Sequence, residues 1–306
     1  MRFRRRCLLF VPGDSERKIA RSLGLAVDGL IFDLEDAVAP PAKVAARSAV
    51  AEALLRVPNG VERVVRVNAL STGLTADDIR GTIAGGPHAY LLPKIAAPAE
   101  VVTAARIIGD AEAAAGLPAG EVRLILIGTE TAAGALAVRE LTRADSRVNG
   151  VLWGSEDLSA DIGARRTHGT AGRLLDVFAL ARSLTLLAAT AARIDAFDMP
   201  FLRLGDHEGL RRDAEESAWM GFTGKFAIHP EQIEPITAAF TPPVAELAAA
   251  RGLIAAWEAA GQPGTFAHEG AMIDAPMLAR ARRVLARVPV EDSAPGHTVE
   301  RSTTSR

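Results

Sequence analysis

The chain lacks several features that would settle its class at once. It has one cysteine, Cys7, in 306 residues. No intramolecular disulfide can form, and a reducing cytoplasm is the expected setting. Cys7 sits in the apolar run Cys7-Leu-Leu-Phe-Val11 and reads as part of a buried strand, not as a nucleophile. No apolar run comes near the ~20 residues needed to cross a bilayer. The opening Met1-Arg-Phe-Arg-Arg-Arg6 has the look of a signal peptide, but the apolar part after it is short and Pro12-Gly13-Asp14 ends it. No targeting segment and no membrane partner are therefore expected. The formal net charge is only -2, which argues against a general nucleic-acid binder and leaves room for a local basic patch facing a phosphorylated ligand. No G-x-G-x-x-G follows the first apolar run, which weakens a dinucleotide-binding open sheet.

What is present is a regular alternation of short apolar runs and helical stretches. The runs are Cys7–Val11, Gly29–Leu34, Arg63–Asn68, Ala89–Lys94, Leu124–Ile127, Val151–Trp153, Ile194–Pro200 and Gly224–His229. Helices are expected over Glu16–Leu25, Ala42–Leu55, Pro98–Ala115, Gly172–Ala191 and Asp206–Met220, with Pro230 opening another. Eight strand–helix alternations within ~250 residues point to an α/β fold, a (β/α)8 TIM barrel spanning residues 1–240. A C-terminal helical extension is expected over 241–290. Thr241 would be its N-cap and Pro242 its first helical residue; a turn-like segment follows at Phe266–Asp274, then a helix over Pro276–Val288. A polar tail over 291–306 is expected to be disordered.

The stretch Gly150-Val-Leu-Trp-Gly-Ser-Glu-Asp-Leu-Ser-Ala-Asp161 organises the chemistry. Its apolar run breaks at Gly154 and presents Glu156 and Asp157 just beyond. Upstream, Leu124–Ile127 ends in Gly128-Thr129-Glu130 in the same way. Two buried strands thus each deliver a carboxylate at the end where the βα loops of a barrel converge, and Glu130 with Asp157 suit a hard cation such as Mg²⁺. The other strand ends add Asp33, Glu35, Asp36, Arg66, Asn68, Lys94, Asp198 and His229, so that a dense polar rim is expected. Arg66 alternates with Val65 and Val67; if the valines face the helices, the guanidinium faces the barrel axis, free to bind a carboxylate or pair with Glu35 or Asp36. Lys94 is expected as a charge partner to acids on neighbouring strands. His229 stays open between a base and a structural histidine, and Asp274 between a lid residue and a helix cap. Arg6 and Lys18, with Arg17 and Arg21, lie near the Pro12-Gly13-Asp14 turn and would meet the phosphates of a nucleotide-like handle.

Several motifs in order carry a family resemblance: Leu8-Leu-Phe-Val-Pro-Gly-Asp14, Phe32-Asp-Leu-Glu-Asp-Ala-Val38 with Lys43, Arg66-Val-Asn68, Leu92-Pro-Lys94, Glu130-Thr-Ala132, Gly154-Ser-Glu-Asp-Leu-Ser159, Gly224-Lys-Phe-Ala-Ile-His-Pro230 and Gly270-Ala-Met-Ile-Asp274. Together they resemble the citrate lyase beta-subunit-like CoA ester lyases of the HpcH/HpaI aldolase superfamily. The resemblance implies a homotrimer, or a hexamer made from trimers, whose C-terminal extension packs on a neighbouring subunit. It implies Mg²⁺ on Glu130 and Asp157, an active-site role for Arg66 at the substrate carbonyl, and backbone amides around Glu156 and Asp157 on a 2-oxo acid carboxylate. It implies that Asp274 is an acid/base supplied to the adjacent subunit. The implied reaction is reversible cleavage of a 3-hydroxyacyl-CoA, of malyl-CoA or citramalyl-CoA type, to a small 2-oxo acid and an acyl-CoA. A citrate lyase subunit acting on a carrier-protein thioester, a malyl-CoA thioesterase or malate-synthase-like activity, and a non-catalytic CoA-ester-binding subunit are the alternatives. The pattern departs from the family at Glu269-Gly270, Gly128-Thr129 and Ala135-Leu136, which bears on the acyl group accepted.

Overall fold

The computed structural model describes residues 3–170 and 172–287. Residues up to Phe240 form one compact unit and those from Thr241 a second. In the first unit eight strands, all parallel, close into a barrel in chain order. They are β1 (Cys7–Pro12), β2 (Gly29–Asp33), β3 (Glu62–Arg66), β4 (Ala89–Leu92), β5 (Arg123–Ile127), β6 (Val148–Leu152), β7 (Asp195–Asp198) and β8 (Gly224–Ala227). The helices are α1 (Glu16–Ser22), α2 (Lys43–Arg56), α3 (Thr75–Thr82), α4 (Pro98–Ala114), α5 (Ala132–Leu141), α6 (Ser155–Asp161), α7 (Asp176–Ala192), α8 (His207–Met220) and α9 (Ile233–Ala239). The pairing of β1 with β8, Cys7 opposite Lys225, closes the ring. This is the (β/α)8 architecture that the alternation implies.

Strand side chains alternate between two cores. Leu8, Ile31, Val64, Leu91, Ile125, Leu152, Phe197 and Phe226 form an inner cluster along the barrel axis. Cys7, Leu30, Phe32, Val65, Val67, Tyr90, Leu124, Val151 and Trp153 belong to the outer cluster between sheet and helices. The parity assigns every strand-end residue to one side. Val65 and Val67 face the helices, so Arg66 faces the axis. Phe197 faces the axis, so Asp198 cannot. Cys7 is fully buried in the outer layer, and burial raises its thiol pKa above the ordinary value, which leaves it a neutral, inert thiol.

The sequence underestimates helix where turns are short. The stretches now seen as α3, α5 and α6 were not expected as helices, and Glu156 and Asp157 lie in the first turn of α6, not in a loop. Thr131 caps α5, its hydroxyl accepting from the Gly134 N–H. Pro230 opens a 3-10 turn, Pro230–Gln232, that runs into α9.

The second unit contains α10 (Val244–Ala259), a two-stranded antiparallel hairpin of β9 (Phe266–His268) and β10 (Ala271–Ile273), and α11 (Ala275–Leu285). Helix α10 starts two residues later than Pro242 implies, with Pro243 in the cap position and Thr241 outside it. The hairpin replaces the expected loose turn. Its two central residues, Glu269 and Gly270, both have positive φ, 47° and 79°, the requirement of the tight hairpin turn whose twist matches the strands. Within this unit Arg282 lies over the Trp257 ring, 4.9 Å from its centroid. The expected tail over 291–306 lies outside the described residues.

Candidate active site

The C-terminal ends of the strands surround a cavity of about 460 Å³. Its polar wall includes Asp33, Asp36, Arg66, Glu130, Glu156 and Asp157; Phe10, Ile127, Leu152, Met199 and Leu202 supply an apolar wall. This is the end of a parallel barrel where βα loops converge and ligands bind.

Glu130 and Asp157 arrive by different routes. Glu130 follows β5 and is 3% exposed, with one carboxylate oxygen accepting from the Lys94 N–H. Lys94 holds that N–H in place by taking a left-handed backbone, φ 53°, a conformation that costs a non-glycine residue free energy. Burial raises the Glu130 pKa to about 8; the Lys94 hydrogen bond works against this, and the charges of Asp157 and Glu35 add to it. Asp157 sits on the first turn of α6 and lines the same cavity, its side chain 41% exposed. Gly154 allows the close approach, since a Cβ there would meet the Glu130 Cβ at 3.2 Å. A buried carboxylate raised by a second carboxylate is a donor set that a divalent cation would relieve, and two carboxylates plus ligand and water oxygens are the usual Mg²⁺ surroundings. Among the described residues no cluster of three or more His, Cys, Asp or Glu side chains suits a metal, so a cation here would rest on this pair and on what binds with it.

Arg66 is fixed more firmly than the sequence suggests. Its Nε and Nη2 donate to the two oxygens of Asp33 at 2.7 and 2.5 Å. Its Nη1 lies 3.0 Å from Glu35 Oε2 and 3.7 Å from Asp36 Oδ2, and Phe10 underlies the guanidinium at 4.9 Å. Burial works against its charge, but Asp33, Glu35 and Asp36 more than offset that and raise its pKa above the ordinary value. Lys94 Nζ donates to Glu35 at 2.6 Å and reaches Asp36 at 3.3 Å and Asp157 at 3.6 Å. Burial opposes the ammonium, yet these acids raise its pKa, so Lys94 is a fixed cation rather than a free amine for Schiff-base chemistry. Lys43 ties the β2–α2 loop, its Nζ donating to the carbonyls of Leu34 and Glu35 at 2.8 and 3.0 Å.

Residues 6–230 match the family model described as HpcH/HpaI aldolase/citrate lyase. The chain belongs to this family. It is 36% identical over 284 residues to the citrate lyase subunit beta of Leuconostoc mesenteroides subsp. cremoris, 92% of each chain being covered. A (3S)-malyl-CoA thioesterase of Cereibacter sphaeroides is 35% identical over 286 residues, 92% of this chain and 94% of the other. The mitochondrial citramalyl-CoA lyase of Rattus norvegicus is 32% identical over 296 residues, 92% and 85%. Among solved structures, protein CitE of Mycobacterium tuberculosis in complex with magnesium, acetoacetate and coenzyme A aligns with a TM-score of 0.75 at 35% identity, covering 92% of this chain and 97% of that one. The HpcH/HpaI chain described here is thus an enzyme of a lyase family.

Not every strand-end residue of this HpcH/HpaI enzyme reaches the cavity. Asp198 points outward, where its carboxylate accepts from Trp153 Nε1, Ser217 and Arg182 and lies 3.3 Å from Lys225 Nζ. Burial alone would raise its pKa; Lys225 and Arg182 hold it well below the ordinary range. Its part is to brace Trp153, the residue before the Gly154 turn. Asn68 is buried against Asp78 and the Leu34 carbonyl. His229 caps the 3-10 turn at Pro230, accepting from the Glu231 N–H at 3.4 Å. Asp274 caps α11, accepting from the Met277 N–H at 3.3 Å, directly after β10. The expectation for Arg6 is corrected. It precedes β1 and forms a bidentate pair with Asp28, at 2.9 and 2.8 Å, at the opposite end of the barrel. A six-residue strand separates it from the carboxylates by roughly 20 Å. Lys18 is exposed on α1, which leaves β1 at the cavity end.

Two features escaped sequence reading. Asp33 was visible as a strand end, but not as the bidentate partner of Arg66; the equal inward parity of the two was the available signal. The Trp153–Asp198 brace joins side chains 45 residues apart, and nothing local announces it.

Proposed function

We propose that the protein is a Mg²⁺-dependent carbon–carbon lyase that reversibly cleaves a 3-hydroxyacyl-CoA of malyl-CoA or citramalyl-CoA type. The products are a small 2-oxo acid and an acyl-CoA. The observation that carries this is that the buried Glu130 lines one cavity together with Asp157 and a locked Arg66. The M. tuberculosis relatives solved in complex with magnesium, acetoacetate and coenzyme A, or with oxaloacetate and magnesium, support it.

Glu130 and Asp157 would hold Mg²⁺, which when bound polarises the hydroxyl-bearing carbon's oxygen as a Lewis acid. The first-turn N–H groups of α6 near Glu156 and Asp157 are free of helix partners and suit the carboxylate of the oxo-acid end. A base takes the hydroxyl proton. The bond between that carbon and the thioester α-carbon breaks, the first becoming the oxo carbon and the electron pair passing to the thioester enolate. Arg66, held charged by Asp33, stabilises the negative oxygen. Asp274, supplied by a neighbouring subunit of a homotrimer or hexamer, protonates the enolate carbon, and in reverse removes that proton. Lys18 contributes to the CoA handle. The single thiol, buried and neutral, supports a cytoplasmic setting.

The test is a panel of malyl-CoA, methylmalyl-CoA and citramalyl-CoA with Mg²⁺, scoring 2-oxo acid and free CoA thiol separately. Oxo acid without thiol is expected. Free thiol without 2-oxo acid would favour the thioesterase reading, which the C. sphaeroides relative raises; activity that persists in excess chelator would sink the metal role.

A further inference from the structure

The opposite, N-terminal end of the barrel opens into a second cavity, of about 730 Å³. Parallel barrels ordinarily use this face for stability, and part of it serves that end here. Gly224 has no side chain because Arg5 runs where one would be: a Cβ would sit 1.8 Å from the Arg5 carbonyl oxygen. The Arg5 guanidinium then spans the barrel floor, bidentate to Glu62 at 2.8 and 2.5 Å, and reaches Asp195 at 3.0 Å. Both carboxylates are thereby engaged by one guanidinium, which offsets one of their two charges.

The remaining charges of the cavity are not balanced in this way. Arg63, on β3, has no acid partner among the described residues; its Nε is buried with no hydrogen-bond acceptor. Its neighbour His88 faces it twice. The Arg63 backbone N–H donates to His88 Nδ1 at 2.9 Å, so in the neutral ring the proton is on Nε2. That same Nε2 lies 3.0 Å from Arg63 Nη2. Two donors therefore point at each other with no acceptor between them. Burial and the charges of Arg63 and Arg5 push the His88 pKa down to about 4, so at neutral pH the ring is neutral and its one proton stays on Nε2. Phe3 packs against the ring, centroids 4.4 Å apart and planes tilted by 43°. Arg123 and Arg193, also lining the cavity, make no ion pair among the described residues, and Glu121 is the one lining acid not engaged by Arg5.

We propose that this cavity is a second ligand site, which takes a small oxyanion, a phosphate or carboxylate group, on Arg63 and His88 with Arg123 and Arg193 at its mouth. An oxyanion accepts from Arg63 Nη2 and His88 Nε2 together and so supplies the acceptor that these two facing donors lack. The site is independent of the lyase chemistry, which lies at the other end of the barrel.

Calorimetric titration of the whole enzyme with inorganic phosphate, and separately with acetate, tests it and tells the two sources apart. Saturable binding is expected for at least one anion. It should weaken roughly tenfold or more in Arg63→Gln, as loss of a charge-assisted hydrogen bond implies, and several-fold in the exposed Arg193→Gln, which keeps the test valid if Arg63→Gln fails to fold. The His88 ring signal in NMR should titrate at higher pH with the anion than without, while lyase turnover in Arg193→Gln stays at the parent rate. Absence of saturable binding, or binding that both variants retain and acyl-CoA displaces, would overturn the proposal.

Discussion

The two ends of this barrel are built on the same device and finish with opposite charge. At the C-terminal end Arg66 is clamped by Asp33 and flanked by Glu35 and Asp36. At the N-terminal end Arg5 is clamped by Glu62 and touches Asp195. Each arginine closes the barrel axis where hydrophobic side chains stop. The surplus differs. Beyond Arg66 lie Glu130 and Asp157; Lys94 donates its backbone N–H to the first and holds its ammonium 3.6 Å from the second. Beyond Arg5 lie Arg63, Arg123 and Arg193 with one unengaged acid. A buried ion pair contributes little net stability by itself, because desolvation takes back most of the attraction. What the pairs do is hold a geometry; the unpaired charges beyond them decide what each end attracts.

The contrast can be broken most sharply at Glu130. Glu130→Gln keeps the shape and removes the charge, and Mg²⁺-dependent cleavage is expected to fall to background in a steady-state assay, with circular dichroism unchanged. The equivalent lesion at the floor should behave in the opposite way. Glu62→Gln leaves Arg5 with Asp195 alone, and a loss of about 1–3 kcal/mol is expected in denaturant unfolding, with the KM for substrate in the surviving folded enzyme unchanged. A fall in substrate affinity there would erase the division of labour between the ends.

A third test uses pH. The Glu130 carboxyl is raised from its ordinary value of 4.5 to about 8 without metal. Between those values the folded protein binds more protons than the unfolded chain, so metal-free stability should fall as pH rises from about 4.5 to 8 and level off above. Mg²⁺ competes with that proton, so the Tm gain on adding Mg²⁺ should grow across the same window, and Glu130→Gln should flatten it. A Mg²⁺ gain independent of pH would separate the cation from Glu130. The smallest effect concerns the two basic residues once grouped together. Lys18→Ala should raise the KM for the CoA ester a few-fold, in line with one surface charge contact, whereas Arg6→Ala should leave KM unchanged and lower stability instead.

Much of the barrel was legible in sequence because its signals are local. Each apolar run of β1 to β8 announces itself, and the Pro and Gly residues between them mark the turns. Glu130 and Asp157 were legible too as carboxylates just past apolar runs that end at the cavity, whereas the same signal at Asp198 misled, since that side chain turns outward. The helices α3, α5 and α6 were less so, being short and dependent on packing more than on their own pattern. The hairpin in the second unit hid behind Glu269, where an Asp-Gly pair would have signalled the turn.

The residues of the chain determined which side chains lie at strand ends and, through period-two alternation, which of them share a face. Only the closed tertiary structure decided that Arg66 belongs to Asp33, that Asp198 braces Trp153 outside the barrel while Asp157 enters the cavity, and that Arg6 lies at the far end from the chemistry. The reason is physical: position along a strand is a local property, but a charge settles with whichever opposite charge the closing of the sheet brings within reach, and that depends on the register of strands tens of residues apart.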